Sequence, residues 1–299
     1  MTPIFYDPRQ SIDSIKSYSK SASKPRRFVE LMQHFAYHNY GPQSLGTVVP
    51  VTKKDLCLVH SKDYIHDLFA LRVPNGFGDC NPDLPESCLW TVGCLLSAAR
   101  HAMKYPAIPV CAPVSGFHHS GYDEAAGFCT VNGLIIVAAK LIQENPNIRI
   151  GIIDADAHYG DGSAALLKRH KHIGKQVLHF TSGQHFYGNE KQEDALDFQA
   201  WLHSAIKETN AFNPDLVLYQ AGADAWEHDD LGSGYLSKEQ LAQRDRDVFR
   251  GIKAPVAWVL AGGYAKSSDG TIFTDPVLDI HHNTLRESDA SVSFRKEQL

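Results

Sequence analysis

The sequence predicts an α/β protein: one parallel β-sheet flanked by helices. Three observations carry this. From Ile108 onward, short apolar runs alternate with stretches of helical periodicity. The runs are short and mostly apolar, like buried strands. The polar residues that call for a chemical explanation fall directly after those runs, where ligands bind in such sheets.

The elements follow in order. The Ser/Lys-rich stretch from Ser17 to Arg27 reads as an exposed loop, and Phe28 to about Tyr37 as a helix. Residues 57–70 read as a short strand or turn followed by a helix. Val73 to Glu86 contains Pro74, Gly76, Gly78, Pro82 and Pro85, so it is a loop, long enough to suspect a function. Ser87 to Met103 is helical. The strands are then 108–112, 148–153, 177–180, 216–219 and 256–260. The helices between and after them are 131–144, 163–170, 195–209 and 238–252. The tail beyond Asp289 is polar and expected to fray. No repeat or low-complexity linker interrupts the chain, so residues 1–299 are expected to form a single domain.

With 299 residues, 43% apolar and 21% charged, the chain can bury a sizeable core. A formal charge of −5 argues against a general nucleic-acid binder. The six cysteines contain no C-x-x-C pair, which argues against a cysteine zinc knuckle. The opening MTPIFYDPRQSID has neither a basic nor an apolar leader region, and no run has the length of a membrane span. Reduced thiols, a cytoplasmic location and no membrane partner are the expectation. Oligomeric state leaves no signature.

Four clusters carry chemistry. In IGIIDADAHYGDG an apolar run ends in Asp154, Asp156 and His158. On extended chain these positions share a face. Gathering two carboxylates and an imidazole there is costly without a cation. A lone D-x-D is usually a solvated turn; the flanking strand, the histidine and the turn glycines argue against that here. In LVLYQAGADAWEHDDLG a second run ends before Gly222 and Asp224. Asp224 can complete a set of three protein ligands, which leaves a coordination position open for water. Glu227, His228, Asp229 and Asp230 read as loop and cap residues. In APVSGFHHSGYDEAAGFCTVNG, His118 and His119 follow a strand. Two histidines in a loop are more often surface residues, but this loop can lie beside the other clusters and supply a base. In VAWVLAGGYAKSSDG, Tyr264 follows two glycines, and its phenol can donate to a carbonyl oxygen that becomes negative. Alone, such a tyrosine is as readily a packing residue.

In this order the clusters resemble the histone deacetylase family, including its bacterial acetyl-amide hydrolase and acetylpolyamine amidohydrolase members. The matching segments are GFHH at 116–119, GFC at 127–129, DADAHYGDG at 154–162, GAD at 222–224 and GGY at 262–264, and the likeness spans roughly residues 55–270. The resemblance implies an arginase- or deacetylase-like three-layer fold and a zinc ion held by Asp156, His158 and Asp224. It implies His119 as general base and proton donor, His118 as its charge-tuning neighbour, and Asp154 and Asp161 as the carboxylates that orient His118 and His119. Tyr264 would polarise the scissile carbonyl. Gly127 would line the inner end of an acyl tunnel and Phe128 one wall, with Phe186 or Tyr187 as the other. A structural potassium ion is implied at Asp154 and Thr181, with the backbone carbonyls of Asp156 and His158. The substrate implied is an acylated amine, such as acyl-lysine or acetylpolyamine. Asp79 and Asp83 are the candidates for a rim acid that grips substrate backbone. The chain departs from the family pattern at Tyr159, where many members have histidine, and at LAGG before Tyr264.

Two rival readings remain. An arginase-type ureohydrolase with two manganese ions would use a D-A-H-x-D pattern. Asp156, Ala157, His158 and Asp161 nearly mimic it, but the last spacing is one residue too long and GADAW offers a single acid. A non-catalytic acyl-lysine binding protein would have no need of the base and the phenol.

Overall fold

Strands buried on both faces are mostly apolar, and so are the runs read from the sequence, with Arg149 and His179 as exceptions. A computed structural model describes all residues except 16, 37–44, 187–191, 233 and 299, and only the backbone at 36, 45 and 192–194. Among the described residues seven parallel strands form one sheet: β1 (Ile4–Phe5), β2 (Leu45–Gly46), β3 (Val110–Ala112), β4 (Ile150–Asp154), β5 (Val177–Thr181), β6 (Leu216–Gln220) and β7 (Val256–Val259). Their order is β2-β1-β3-β7-β6-β4-β5. β1 and β2 are two residues long, too short for a periodicity to announce them.

Helices cover both faces. They are α1 (Lys24–Ala36), α2 (Lys53–Leu56), α3 (Lys62–Phe69), α4 (Leu84–Lys104), α5 (Gly133–Glu144), α6 (Asp161–Arg169), α7 (Lys171–Gly174), α8 (Gly183–Phe186), α9 (Gln192–Phe212), α10 (Lys238–Gly251) and α11 (Pro276–Lys296). Strand alternation divides the core in two. Ile150, Ile152, Leu216, Leu218, Ala257 and Val259 face the side of α4 and α5. Ile153, Val217, Tyr219, Val256 and Trp258 face α1, α9, α10 and α11. This is the three-layer α/β architecture expected.

Three readings need correction. The polar tail is not frayed: α11 runs to Lys296. Its buried face includes Thr284, Ser288 and Ser291, small polar residues that hide the helical stripe from a hydrophobicity reading. The helix is anchored by Arg295, whose guanidinium donates to the carbonyls of Phe249, Ile252, Ala254 and Pro106. The stretch from Ser17 to Arg27 is not simply an exposed loop, because Ser19, Ser21 and Lys24 are buried and α1 begins at Lys24. The loop after Val73 ends early, since α4 starts at Leu84 with Pro85 in its first turn, where a missing N–H costs nothing. Among the described residues no helix is long and apolar enough to cross a membrane.

Register places the site. Ala112 pairs with Val259, Val259 with Gln220, Gln220 with Asp154, and Asp154 with Thr181. The strand ends therefore form one level row. The four chemical clusters leave the sheet from β3, β7, β6 and β4, which are consecutive neighbours.

One buried histidine couples this scaffold to pH. His60 sits between a carbonyl and an N–H: its Nδ1 lies 2.7 Å from the Gly121 carbonyl, and its Nε2 accepts the Asn132 N–H at 2.9 Å. Burial lowers its pKa to about 4. An unfolded histidine titrates near 6.5, so between about 4 and 6.5 the unfolded chain binds the extra proton. Stability from this group is present above pH 6.5 and is lost as the pH falls. From pH 7 to pH 5 the expected loss is about 2 kcal/mol. Urea midpoints for the wild type and for His60→Gln check this: the variant should lose less over that range, and equal losses would refute it.

Candidate metal centre

β4 ends in Asp154, and the chain beyond it turns two further side chains toward β6. Asp156 and Asp224 are buried and His158 is partly so, and one ligand atom from each lies within 4.8 Å of the others. His158 Nδ1 is 2.8 Å from Asp224 Oδ2 and 3.2 Å from Asp156 Oδ1. Glycines make the approach possible. A Cβ at Gly262 would fall 2.3 Å from Asp224 Oδ2 and 2.6 Å from Asp156 Oδ2, and one at Gly222 would fall 2.7 Å from Asp224 Oδ1. Larger side chains would fill the cradle.

The electrostatics are those of a cation site. Burial and the charge of Asp156 raise the pKa of Asp224 to about 7. Burial opposes protonation of His158, but its contacts with Asp156 and Asp224 win and lift it to about 11. The trio thus holds a proton where a divalent ion would fit, with two oxygens and one nitrogen as donors.

The loop after β3 brings both histidines alongside. His118 Nδ1 lies 2.7 Å from Asp154 Oδ2, and His119 Nδ1 lies 2.8 Å from Asp161 Oδ1. Burial opposes charge on His118, yet Asp154 and Asp156 raise it to about 9. The rings of His118 and His119 are 4.1 Å apart, and those of His119 and His158 are 5.8 Å apart. Gly127 adopts φ +52°, and a Cβ there would strike the His119 ring at 2.3 Å. Phe128, at φ +62°, presents its ring 5.5 Å from that of Tyr264, which lies 6.1 Å from that of His158. Burial, then the charges of Asp156 and Asp224, push the Tyr264 phenol up, so it stays protonated and can donate.

Two oxygens expected near a potassium ion have protein partners: Thr181 Oγ1 accepts the Gly160 N–H at 3.0 Å, and the Asp156 carbonyl accepts Ser182 Oγ at 2.7 Å. Phe186 is not brought to the site. Its ring packs against Phe198, Trp201 and Tyr235 in the core, because α8 turns it inward. Tyr187 lies outside the described residues. Besides Tyr264, Phe77 from the loop before α4 packs its ring against Phe128, 5.7 Å away. Phe128 N–H donates to the Gly76 carbonyl, which clips that loop in place. Asp79 is tied internally, accepting from Asn75 Nδ2 at 2.5 Å and Asn81 N–H at 3.0 Å. Asp83 is the exposed N-cap residue of α4.

Sequence reasoning missed two further groups. Lys24 is buried and its ammonium donates to the carbonyls of Ala261 and Gly262, beneath the turn that precedes Tyr264. Nothing in a Ser/Lys-rich stretch signals an inserted lysine. Asp229, read as a loop residue, accepts backbone N–H groups from the Tyr264 turn. Its neighbour Asp230 and the DDLG run disguised it.

The family model for the histone deacetylase domain matches residues 21–196 and 188–277. An uncharacterized protein of Picosynechococcus sp. is 29% identical over 74% of this chain and 79% of its own length. Histone deacetylase 3 of Oryza sativa subsp. japonica is 26% identical over 87% of this chain, and histone deacetylase RPD3 of Saccharomyces cerevisiae is 24% identical over 87%. The chain spans 57% of the rice relative and 67% of the yeast one. The crystal structure of the HDA15 HD domain superposes over 99% of this chain and 96% of its own, with a TM-score of 0.71 at 19% identity, a likeness of fold. With most of its length matched by that one domain model, the chain belongs to the histone deacetylase family.

Proposed function

We propose that this protein is a metal-dependent amide hydrolase that removes an acyl group, most simply acetyl, from an amine such as acyl-lysine or an acetylpolyamine. The observation that carries the reading is His119, held through Nδ1 by Asp161 beside the Asp156, His158 and Asp224 trio. Its other ring nitrogen is then free to take a proton from water.

Asp156, His158 and Asp224 would hold a zinc ion; donors of this hardness also suit iron(II) or cobalt(II). When bound, such an ion supplies Lewis acidity and lowers the pKa of water toward about 7. The remaining chemistry belongs to the chain. His119 accepts the water's proton and returns it to the departing nitrogen. Tyr264 donates to the carbonyl oxygen as negative charge develops there. His118, kept charged by Asp154, sets the potential beside His119. Phe128 and Phe77 supply an apolar wall for the acyl-bearing chain. A potassium ion at Asp154 and Thr181 would stiffen the end of β4; the Gln220 Oε1 beside it has no hydrogen-bond partner among the described residues.

The test is a panel: acetyl-lysine peptide, longer acyl-lysine and acetylpolyamine, with zinc-loaded or iron-loaded protein. Turnover of at least one, with about one metal per chain, is the expected outcome. No turnover across the panel with metal bound would leave a binding protein, and two metals per chain would favour the ureohydrolase reading.

A further inference from the structure

Tyr264 lies on a turn that a chain does not adopt without help. Ala261 has φ +58° and Gly263 φ +130°. A non-glycine residue in the left-handed region persists only where its surroundings hold it. Upstream of Tyr264 the hold is clear: Lys24 takes the carbonyls of Ala261 and Gly262, and Asp156 Oδ2 takes the Gly262 N–H at 2.8 Å. Downstream, the hold comes from Asp229. Its Oδ2 accepts the N–H of Tyr264 at 2.6 Å and that of Ala265 at 3.0 Å. Its Oδ1 accepts the N–H groups of Leu231 at 3.1 Å and Gly232 at 2.9 Å.

The geometry has a specific meaning. The N–H groups of Tyr264 and Ala265 belong to the two peptide planes that flank the Tyr264 Cα. With both planes pinned to one oxygen, the direction of the Cα–Cβ bond is set, and with it the path of the phenol. The other oxygen ties Asp229 to its own loop, which also carries the ligand Asp224. The carboxylate is therefore a staple between the metal-ligand loop and the tyrosine turn. The adjacent acid has no part in this, since Asp230 meets the Tyr18 hydroxyl at 3.1 Å, at the surface.

We propose that Asp229 is a positioning residue for the hydrolysis: it aims the Tyr264 hydroxyl at the scissile carbonyl while touching neither substrate nor metal. This rests on the function proposed above. Four donors need two accepting oxygens. Asparagine has the same shape but one accepting oxygen, and its NH2 would face two N–H groups, so one pair of bonds must part.

The experiment is a double-mutant cycle on the panel substrate the wild type turns over fastest. Asp229→Asn should lower kcat by about tenfold to a hundredfold, the scale expected when a reacting group is displaced by about 1 Å. KM should stay within about twofold and metal content should be unchanged. In the Tyr264→Phe background, where there is no hydroxyl left to aim, the same change should cost less than about threefold, because groups acting through one contact are not additive. Asp230→Asn should behave as wild type. Should Asp229→Asn fail to fold, Asp229→Glu, which keeps both oxygens but moves them by one methylene, enters the same cycle. Wild-type kcat, full additivity with Tyr264→Phe, or loss of metal in the Asp229 variant would each overturn the proposal. Those results differ from failure of the underlying reading, in which the wild type itself turns over nothing in the panel.

Discussion

Replacing His158 with alanine is expected to strip the metal and abolish turnover while leaving the protein folded. His158 is the imidazole of the trio and the group that bridges Asp156 and Asp224. Removing a partner that merely orients a ligand costs about 10–100-fold in metal affinity, so loss of a ligand itself should exceed that. Two buried carboxylates would then remain without a cation. The fold survives because the pair can neutralise itself: Asp224, pushed up by burial and by Asp156, retains a proton near neutral pH. Elemental analysis, a melting curve and the substrate panel together check this. One metal equivalent bound at wild-type affinity in His158→Ala would show that the ligands have been misassigned.

Tyr264→Phe should behave in the opposite way, keeping the metal and losing rate. The phenol is no ligand, and its ring sits between those of Phe128 and His158, where phenylalanine fits the same space. Only a hydrogen-bond donor is removed. Losing one donor to a developing oxyanion costs roughly 3–4 kcal/mol, so kcat should fall on the order of a hundredfold or more, with metal content and melting temperature near those of the wild type. Full activity in this variant would take Tyr264 out of the chemistry.

The candidate site was legible because its residues lie at or just after strand ends. Asp154 ends β4 and Asp156 and His158 follow it, Asp224 follows β6 and Tyr264 follows β7, and each apolar run announced where its polar residues would emerge. The packing that supports them was less legible. α11 hides its buried stripe behind Thr284, Ser288 and Ser291, and β1 and β2 are too short to have a period. Lys24 is buried because its ammonium meets the carbonyls of Ala261 and Gly262, contacts between segments far apart in the chain that no local pattern encodes. Phe77, and not the expected Phe186, packs against Phe128 for a related reason. Which aromatic faces Phe128 depends on how the loop before α4 is clipped to Gly76, and spacing along the chain does not report that.

The level row from Ala112 to Thr181 divides labour within the molecule. The candidate site residues hang from one stiff edge, so their mutual distances are inherited from backbone pairing. Phe77 comes from elsewhere, on the α3–α4 connection, fastened by the bond between Phe128 and Gly76 and by Gly76 N–H on Thr130 Oγ1 at 2.9 Å. Phe77 thus reaches the candidate site from outside the row, through a loop anchored to the segment that follows His118 and His119.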